Sequence, residues 1–232
     1  MHIQRQQTTV TTSRTQVSTP LPHFPKKKEI DFKALYQDLQ TKGFKPVQNR
    51  YGEQEPNKID LDAAPKKIYV EWGSAVVGTG PVLLGTRGID TCAALSIIDP
   101  TNENIHYLLH AYTRTFPHSI QASLERAKAL GINLKDSEIE IMPGRRFNLS
   151  STPHILEGLY LVDSNLLDKV VLISDVARSK RGYTQAIIVC EGKTFGLEIP
   201  TEIPFDQKLG NPYDQFRFEL KKDGVEVVLY YA

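Results

Sequence analysis

The sequence predicts a mixed α/β (α+β) fold in which a strand-rich sheet or sandwich carries helices packed on it. The last third of the chain consists almost wholly of short alternating apolar runs separated by turn residues, a pattern typical of strands. Two earlier segments place apolar residues at helical spacing. Between those two segments, residues 85–110 form two strand-like runs around the turn sequence DPTNEN. Strands therefore dominate the predicted fold, and at least two helices accompany them.

The predicted elements begin with a helix and continue into a broken β-region. The first helix runs from Asp31, a plausible N-cap, to Gly43, which stops it. After a loop, alternating apolar residues predict a strand over 68–72, with Trp72 as its last alternating position. A β-region interrupted by Gly and Pro follows over 76–84 and leads into the central stretch.

The rest of the chain predicts one more helix and then strands. A helix capped by Ser119 and ended by Gly131 follows the central stretch, and SEIEIMPG predicts a short strand after it. Further strands are expected over residues 158–162, 170–174, 184–189 and 194–199. A closing hairpin is expected where FRFEL and VEVVLYY flank Asp223-Gly224, because Asp-Gly between alternating apolar runs is a strong hairpin signal.

The length and overall charge of the chain exclude several classes of protein. A chain of 232 residues suits one large domain, or one domain with a tail. The formal net charge of +1 argues against a dedicated nucleic-acid binder, which would show a strong basic excess. No run approaches the roughly 18 apolar residues of a membrane span, and no apolar signal-peptide core stands near Met1. Because two cysteines cannot form a disulfide-rich scaffold, a reduced, cytosol-like environment is expected.

The N-terminal residues 1–28 differ in composition from the rest of the chain. They are rich in Thr, Ser and Gln, and they carry five basic residues and no acidic one. This composition predicts a flexible arm, and it would also fit a targeting leader. The remaining residues, 29–232, hold 23 basic and 27 acidic residues, a net charge of −4, and are expected to form a single α/β domain.

The central stretch contains the candidate chemistry, a cysteine and two histidines on neighbouring runs. Two strands joined by a turn bring distant residues side by side, so Cys92 and His106 are expected to meet across adjacent strands. A thiol beside an imidazole is the minimal machinery of covalent acyl transfer. His110 shares a strand face with His106 and is expected to be a rim or core histidine. A free cysteine is commonly a buried small hydrophobe, and this interpretation is kept for Cys190.

Other chemistries have weaker signals in the sequence. Cys92, His106 and His110 could together bind zinc, but a fourth ligand or an open catalytic position would be needed, so no metal site is predicted. The Gly-rich run GTGPVLLGTRG lacks the Lys-Ser/Thr of a phosphate loop, and no cofactor is predicted. Basic clusters at 145–146 and 178–181 could meet an acidic partner, although solvated loops are the ordinary behaviour of such clusters.

Four consecutive segments of the central stretch stand in a recognisable order: TRGIDTC, AALSIIDP, TNEN and IHYLLH. This order resembles the chemoreceptor glutamine deamidase family (CheD), which shows T-x-G-L-G-S-C, a strand ending in D-P, a short turn and then A-H-x-x-L-P. The resemblance covers about 82–146, under a third of the chain. The family is similar in fold to the catalytic domain of cytotoxic necrotizing factor toxins. The resemblance therefore implies a CheD-like, cytotoxic necrotizing factor-like fold.

The resemblance also implies an activity, that of a cysteine-dependent amidohydrolase that converts a glutamine of an unidentified target protein to glutamate. It implies Cys92 as the nucleophile, His106 as its base, and Thr86 as a residue that orients the histidine or the amide. Gly88 would let the chain approach closely, and backbone N–H groups near Cys92 would stabilise the oxyanion. The family's Leu-Gly-Ser is replaced by residues 89–91, which favours a divergent relative such as a bacterial effector or toxin acting on a host protein.

Two other classes of function remain open on the sequence. A cysteine protease, ester hydrolase or acyltransferase could use the same dyad, because the dyad fixes acyl chemistry and not the acceptor. In a non-catalytic α/β interaction module, Cys92 would merely be packed. A mass gain of about one unit on a partner, without chain cleavage, separates deamidation from proteolysis, since amide hydrolysis replaces NH₂ by OH.

Overall fold

A computed structural model describes residues 30–45, 48–50, 67–89, 91–144, 151–173, 183–190, 192–200 and 226–229. Apart from Ile30, the described residues belong to one compact unit, which begins at Asp31. The flexible arm predicted over 1–28 lies outside the described residues.

The described residues combine helices and strands in a mixed α+β fold, as the sequence predicts. The helices are α1 (Phe32–Lys42), α2 (Pro117–Ala129), α3 (Thr152–Val162) and a 3₁₀ helix (Ser164–Lys169). The strands are β1 (Gln48–Arg50), β2 (Lys67–Tyr69), β3 (Ser74–Thr79), β4 (Leu83–Arg87), β5 (Ala93–Ile98), β6 (Ile105–Ala111), β7 (Glu138–Met142), β8 (Val170–Leu172), β9 (Tyr183–Cys190), β10 (Lys193–Pro200) and β11 (Glu226–Leu229).

The strands form two sheets, and each sheet contains both parallel and antiparallel pairs. The six-stranded sheet has the order β11-β3-β6-β5-β7-β8, and only β7 and β8 pair in parallel. The five-stranded sheet has the order β1-β10-β9-β4-β2, with parallel pairs at its two edges. The predicted central hairpin, β5 and β6, lies in the middle of the six-stranded sheet.

The central hairpin separates two hydrophobic cores. On one face, Leu95 belongs to a core shared with Leu124 of α2 and Leu159 of α3. On the opposite face, Leu108 belongs to a core shared with Leu84 of β4 in the five-stranded sheet. Because side chains alternate along a strand, each strand of the hairpin contributes to both cores. The helices therefore cover one face of the six-stranded sheet, and the five-stranded sheet covers the other.

The turn between β5 and β6 is organised by the buried side chain of Asp99. Its carboxylate accepts hydrogen bonds from the backbone N–H of Thr101 at 2.8 Å and from the Thr101 hydroxyl at 2.5 Å. It also accepts the N–H of Asn133 at 3.2 Å, which ties the turn to the segment after α2. A turn fixed in this way sets the register of the hairpin, in which Ile98 pairs with His106.

Several predicted elements are present with the expected boundaries. Asp31 caps α1 and accepts hydrogen bonds from the backbone N–H groups of Lys33 and Ala34, and Gly43 ends the helix at φ 95°. The segment SEIEIMPG forms β7, and the strands predicted over 170–174, 184–189 and 194–199 overlap β8, β9 and β10. The α2 helix begins at Pro117 rather than after a Ser119 cap, because proline is favoured in the first helical turn.

The strand predicted over 158–162 is wrong, because these residues belong to α3. Ile155, Leu156 and Leu159 stand at helical spacing and are fully buried against α1 and α2, so tertiary packing decides the conformation of this apolar segment. For the closing hairpin, EVVL of the second run forms β11, which pairs with β3, and FRFEL lies outside the described residues. β11 is an edge strand of the six-stranded sheet.

Gly158 allows α3 to approach α2 closely. A Cβ at Gly158 would lie 2.6 Å from Cγ2 of Ile120 and 3.2 Å from the carbonyl oxygen of Pro117. We expect Gly158→Ala to lower the free energy of unfolding by about 1–3 kcal/mol, because overpacking outweighs the gain in helix propensity. Urea denaturation measures the change, with Glu157→Ala as the control on the same helix. A Gly158→Ala variant at least as stable as the parent would contradict this packing.

Candidate functional site

The candidate residues lie on three elements that come from both sheets. Cys92 immediately precedes β5 and is 7 % exposed. His106 and His110 lie on β6, and Thr86 lies on β4 of the five-stranded sheet. Thr86 and the two histidines are buried. The register of the hairpin determines which of the two histidines lies near Cys92.

The expected meeting of Cys92 with His106 is wrong, because the register of the hairpin separates them. His106 pairs with Ile98 at the turn end of the hairpin, whereas Cys92 precedes Ala93, which pairs with Ala111 at the open end. The six positions from Cys92 to Ile98 span about 20 Å of extended strand. His106 is therefore out of reach of the Cys92 sulfur.

His110 is the histidine that the fold places beside Cys92. It pairs with Ala94, two residues from Cys92, and so occupies the diagonal position across the two strands. Diagonal neighbours lie about 7–8 Å apart between Cα atoms, within reach of a long side chain. Alternation also puts Cys92 on the face of Ala94 and His110, which is directed toward the five-stranded sheet.

A buried hydrogen bond between the two sheets holds the His110 ring. Oγ1 of Thr86 lies 2.6 Å from Nδ1 of His110. When Nδ1 carries the proton and donates a hydrogen bond to Oγ1 of Thr86, Nε2 is unprotonated and its lone pair can accept a proton. Among the described residues, Nε2 of His110 has no hydrogen-bond partner. Thr86 therefore forms this hydrogen bond with His110, the histidine diagonally opposite Cys92.

Burial keeps both histidines neutral. Removal from water lowers the pKa of His110 from its ordinary value of 6.5 to about 3. Burial also lowers the pKa of His106, and hydrogen bonding to the backbone of Ile105 opposes part of that shift. Burial therefore leaves His110 neutral, so that a ring nitrogen can accept a proton, but it also lowers the basicity of that nitrogen.

An exposed tryptophan stands beside His110. Trp72 lies in the turn before β3 rather than at the end of a strand, and it is 64 % exposed. Its ring meets that of His110 edge to face, with centroids 6.3 Å apart and an interplanar angle of 60°. The alternating pattern over 68–72 predicts Trp72 to be a strand residue and gives no sign that it lies beside His110. In the structure, β2 already ends at Tyr69. The neighbouring Gly73 was the signal for a turn.

No protein-family model matches this chain, and a search of curated proteins finds no match either. The likeness to the chemoreceptor glutamine deamidase family thus remains a resemblance between short motifs. The assignment of roles depends on the geometry around Cys92, Thr86 and His110.

The arrangement does not gather metal ligands. Within the described part of the chain, no three His, Cys, Asp or Glu side chains group closely enough to hold a metal ion. The zinc hypothesis needed Cys92, His106 and His110 together, and the hairpin register separates His106 from Cys92.

None of the described helices is both long enough and apolar enough to span a membrane. The basic clusters at 145–146 and 178–181 lie outside the described residues.

Proposed function

We propose that the chain is a cysteine amidohydrolase that converts a glutamine of a target protein to glutamate. Cys92 is the nucleophile, His110 is the general base and acid, and Thr86 orients His110. The observation that carries this proposal is the buried 2.6 Å hydrogen bond between Nδ1 of His110 and Oγ1 of Thr86. When Nδ1 is the donor in this bond, Nε2 can take a proton from the cysteine on the adjacent strand.

The reaction proceeds in two half-reactions that use the same residues. The Cys92 proton moves to Nε2 of His110, and the sulfur attacks the carboxamide carbon. The imidazolium then protonates the departing NH₂ group, so that ammonia leaves and a thioester remains. In the second half, Nε2 takes a proton from water, the resulting hydroxide attacks the thioester, and the proton returns to the Cys92 sulfur. The sum is glutamine plus water to glutamate plus ammonia.

The burial of Cys92 favours a side-chain carboxamide over a backbone amide. Only 7 % of Cys92 is exposed, so a substrate has little free surface on this residue to approach. A glutamine carboxamide stands at the end of two methylene groups and can approach such a residue from one side. A scissile backbone amide is flanked by chain on both sides and requires a cleft, which disfavours proteolysis by the same dyad.

The fold and the motif order support the same proposal. Thr86 precedes Cys92 by six residues, and the strand after the cysteine ends in Asp99-Pro100, as in the deamidase family that the sequence resembles. We infer a CheD-like arrangement in which the threonine comes from one sheet and the Cys-His pair from the other. The proposal differs from the expectation drawn from the motif in one residue, because His110 replaces His106.

Ammonia release and mass spectrometry test the proposed activity. The probes are N-acetyl-Gln-Gly and unfolded casein, and the variants are Cys92→Ala and, as the control, Cys190→Ala. We expect ammonia release and a gain of about one mass unit per converted glutamine, both lost in Cys92→Ala and kept in Cys190→Ala. Cleavage of casein without deamidation would indicate a protease instead. Equal ammonia release from the parent and Cys92→Ala would contradict any role for the thiol.

A further inference from the structure

Trp72 is exposed in a way that core packing does not explain. At 64 % it is the most exposed of the large hydrophobic side chains among the described residues, ahead of Phe116 at 59 %. Exposed indole surface costs free energy in water, and it is enriched where a protein contacts ligands or partners. The chain contains a single tryptophan, so the exposed indole is also a unique spectroscopic probe.

The turn that carries Trp72 is hydrogen-bonded to the backbone of the candidate site. The backbone N–H of Gly73 donates a hydrogen bond to the carbonyl oxygen of His110 at 2.7 Å, and that of Ser74 donates to the carbonyl oxygen of Glu71 at 3.1 Å. The backbone that carries Trp72 is therefore held next to the residue proposed as the base.

Two groups lie beside the indole. Its ring meets the His110 ring edge to face, with centroids 6.3 Å apart. Gly88, at φ +80°, is the second group, and a Cβ there would make an ordinary van der Waals contact with Nε1 of Trp72 at 3.7 Å. The segment that leads to Cys92 therefore passes beside the indole. Because 64 % of Trp72 is exposed, most of the ring is open to solvent next to the proposed base.

We propose that Trp72 is the specificity-determining contact for the substrate side chain. Its exposed face packs against the two methylene groups of an incoming glutamine and guides the carboxamide toward Cys92. The ligand class is a slender, unbranched, uncharged carboxamide side chain. Asparagine, with one methylene group fewer, gains less from the indole and places its carboxamide short of the sulfur. This inference rests on the proposed deamidase function, but binding at Trp72 can be measured without turnover.

Steady-state kinetics of Trp72 variants test this role in the active chain. With N-acetyl-Gln-Gly as substrate, Trp72→Ala is expected to raise KM about tenfold to a hundredfold and to change kcat by less than about threefold. Trp72→Phe restores most of the affinity because it restores an aromatic face. Phe116→Ala removes another exposed aromatic ring that has no contact with His110 among the described residues, and it is expected to leave KM unchanged.

Cys92 labelling separates substrate contact from a merely structural role. Iodoacetamide is too small to need the indole, so its rate of reaction with Cys92 should change by less than about twofold in Trp72→Ala. A parallel fall in labelling rate and kcat would show that Trp72 only shields His110, and this would overturn the inference. An unchanged KM in Trp72→Ala would overturn it as well.

Fluorescence tests the contact independently of catalysis. In the Cys92→Ala variant, N-acetyl-Gln-Gly should shift the emission of the single tryptophan to shorter wavelength with a saturable dependence, and N-acetyl-Asn-Gly should require a several-fold higher concentration. Absence of any shift at saturating dipeptide would overturn the role of Trp72. A saturable shift in a parent chain that releases no ammonia would support the binding role and refute the deamidase function.

Discussion

Replacement of His110 by alanine is expected to reduce ammonia release from N-acetyl-Gln-Gly by about a hundredfold to ten-thousandfold, the usual contribution of a positioned general base. His106→Ala is expected to stay within about threefold of the parent. The reason is the register of the hairpin, which places His110 diagonally opposite Cys92 and His106 at the far end of the same strand. Initial rates of ammonia release at neutral pH measure both effects.

The two histidine variants control for each other. Both residues are buried, both lie on β6, and both lie on the strand face directed toward the five-stranded sheet. A general loss of folding would therefore affect both variants, and near-ultraviolet circular dichroism checks that each remains folded. Iodoacetamide labelling of Cys92 should slow in His110→Ala and not in His106→Ala. The opposite order would restore His106 as the base and contradict the assignment made from the register.

Thr86→Val extends the same experiment to the orientation of the base. Valine keeps the shape of threonine but can neither accept a hydrogen bond from Nδ1 of His110 nor donate one to it. The imidazole then loses both its fixed tautomer and a buried partner, so activity should fall to a level between the parent and His110→Ala. Activity equal to the parent would show that the 2.6 Å bond is structural and has no part in the reaction.

The sequence predicted the central hairpin correctly, but it did not identify which histidine lies near Cys92. A hairpin pairs residues that are equidistant from the centre of its turn, and the pairing of Ile98 with His106 puts that centre at Asn102. Cys92 lies ten residues before Asn102, and His106 only four residues after it. Only the observed centre at Asn102 places His110 opposite Ala94, two residues from Cys92. The motif order alone carried no information about distance along the strands.

Other features of the site depend on contacts between distant segments. The bond from Thr86 to His110 joins two sheets, and no local pattern predicts how two sheets face each other. Thr86 was predicted as a site residue from the resemblance to a known family. The alternating pattern of β4 alone indicates only a threonine within a strand. Similarly, the apolar segment around Gly158 fits a strand or a helix by composition, and packing on Ile120 decides for the helix. Local sequence patterns therefore predicted the helices and strands better than they predicted which of these elements pack against each other.

Acid is expected to destabilise the folded chain through His110. The pKa of His110 is about 3 in the folded chain, below its ordinary value of 6.5, because burial disfavours the charged imidazolium. Between these two values the unfolded chain binds a proton that the folded chain does not. Stability therefore rises with pH across this range, and the contribution of His110 is fully present above about 6.5 and is lost as the pH falls toward 3. His106, whose pKa is also lowered, acts in the same direction.

The expected slope from His110 approaches about 1.4 kcal/mol of unfolding free energy per pH unit between the two pKa values. Urea denaturation at several values between pH 4.5 and 6.5 measures it, and His110→Gln should reduce the slope because glutamine does not titrate. His118→Gln, at an exposed position, is the control for the effect of a His-to-Gln substitution on stability. An equal slope in the parent and His110→Gln would mean that His110 binds its proton without unfolding the chain. If the slope does depend on His110, loss of the proposed deamidation in acid should follow unfolding rather than protonation of the proposed base in the folded chain.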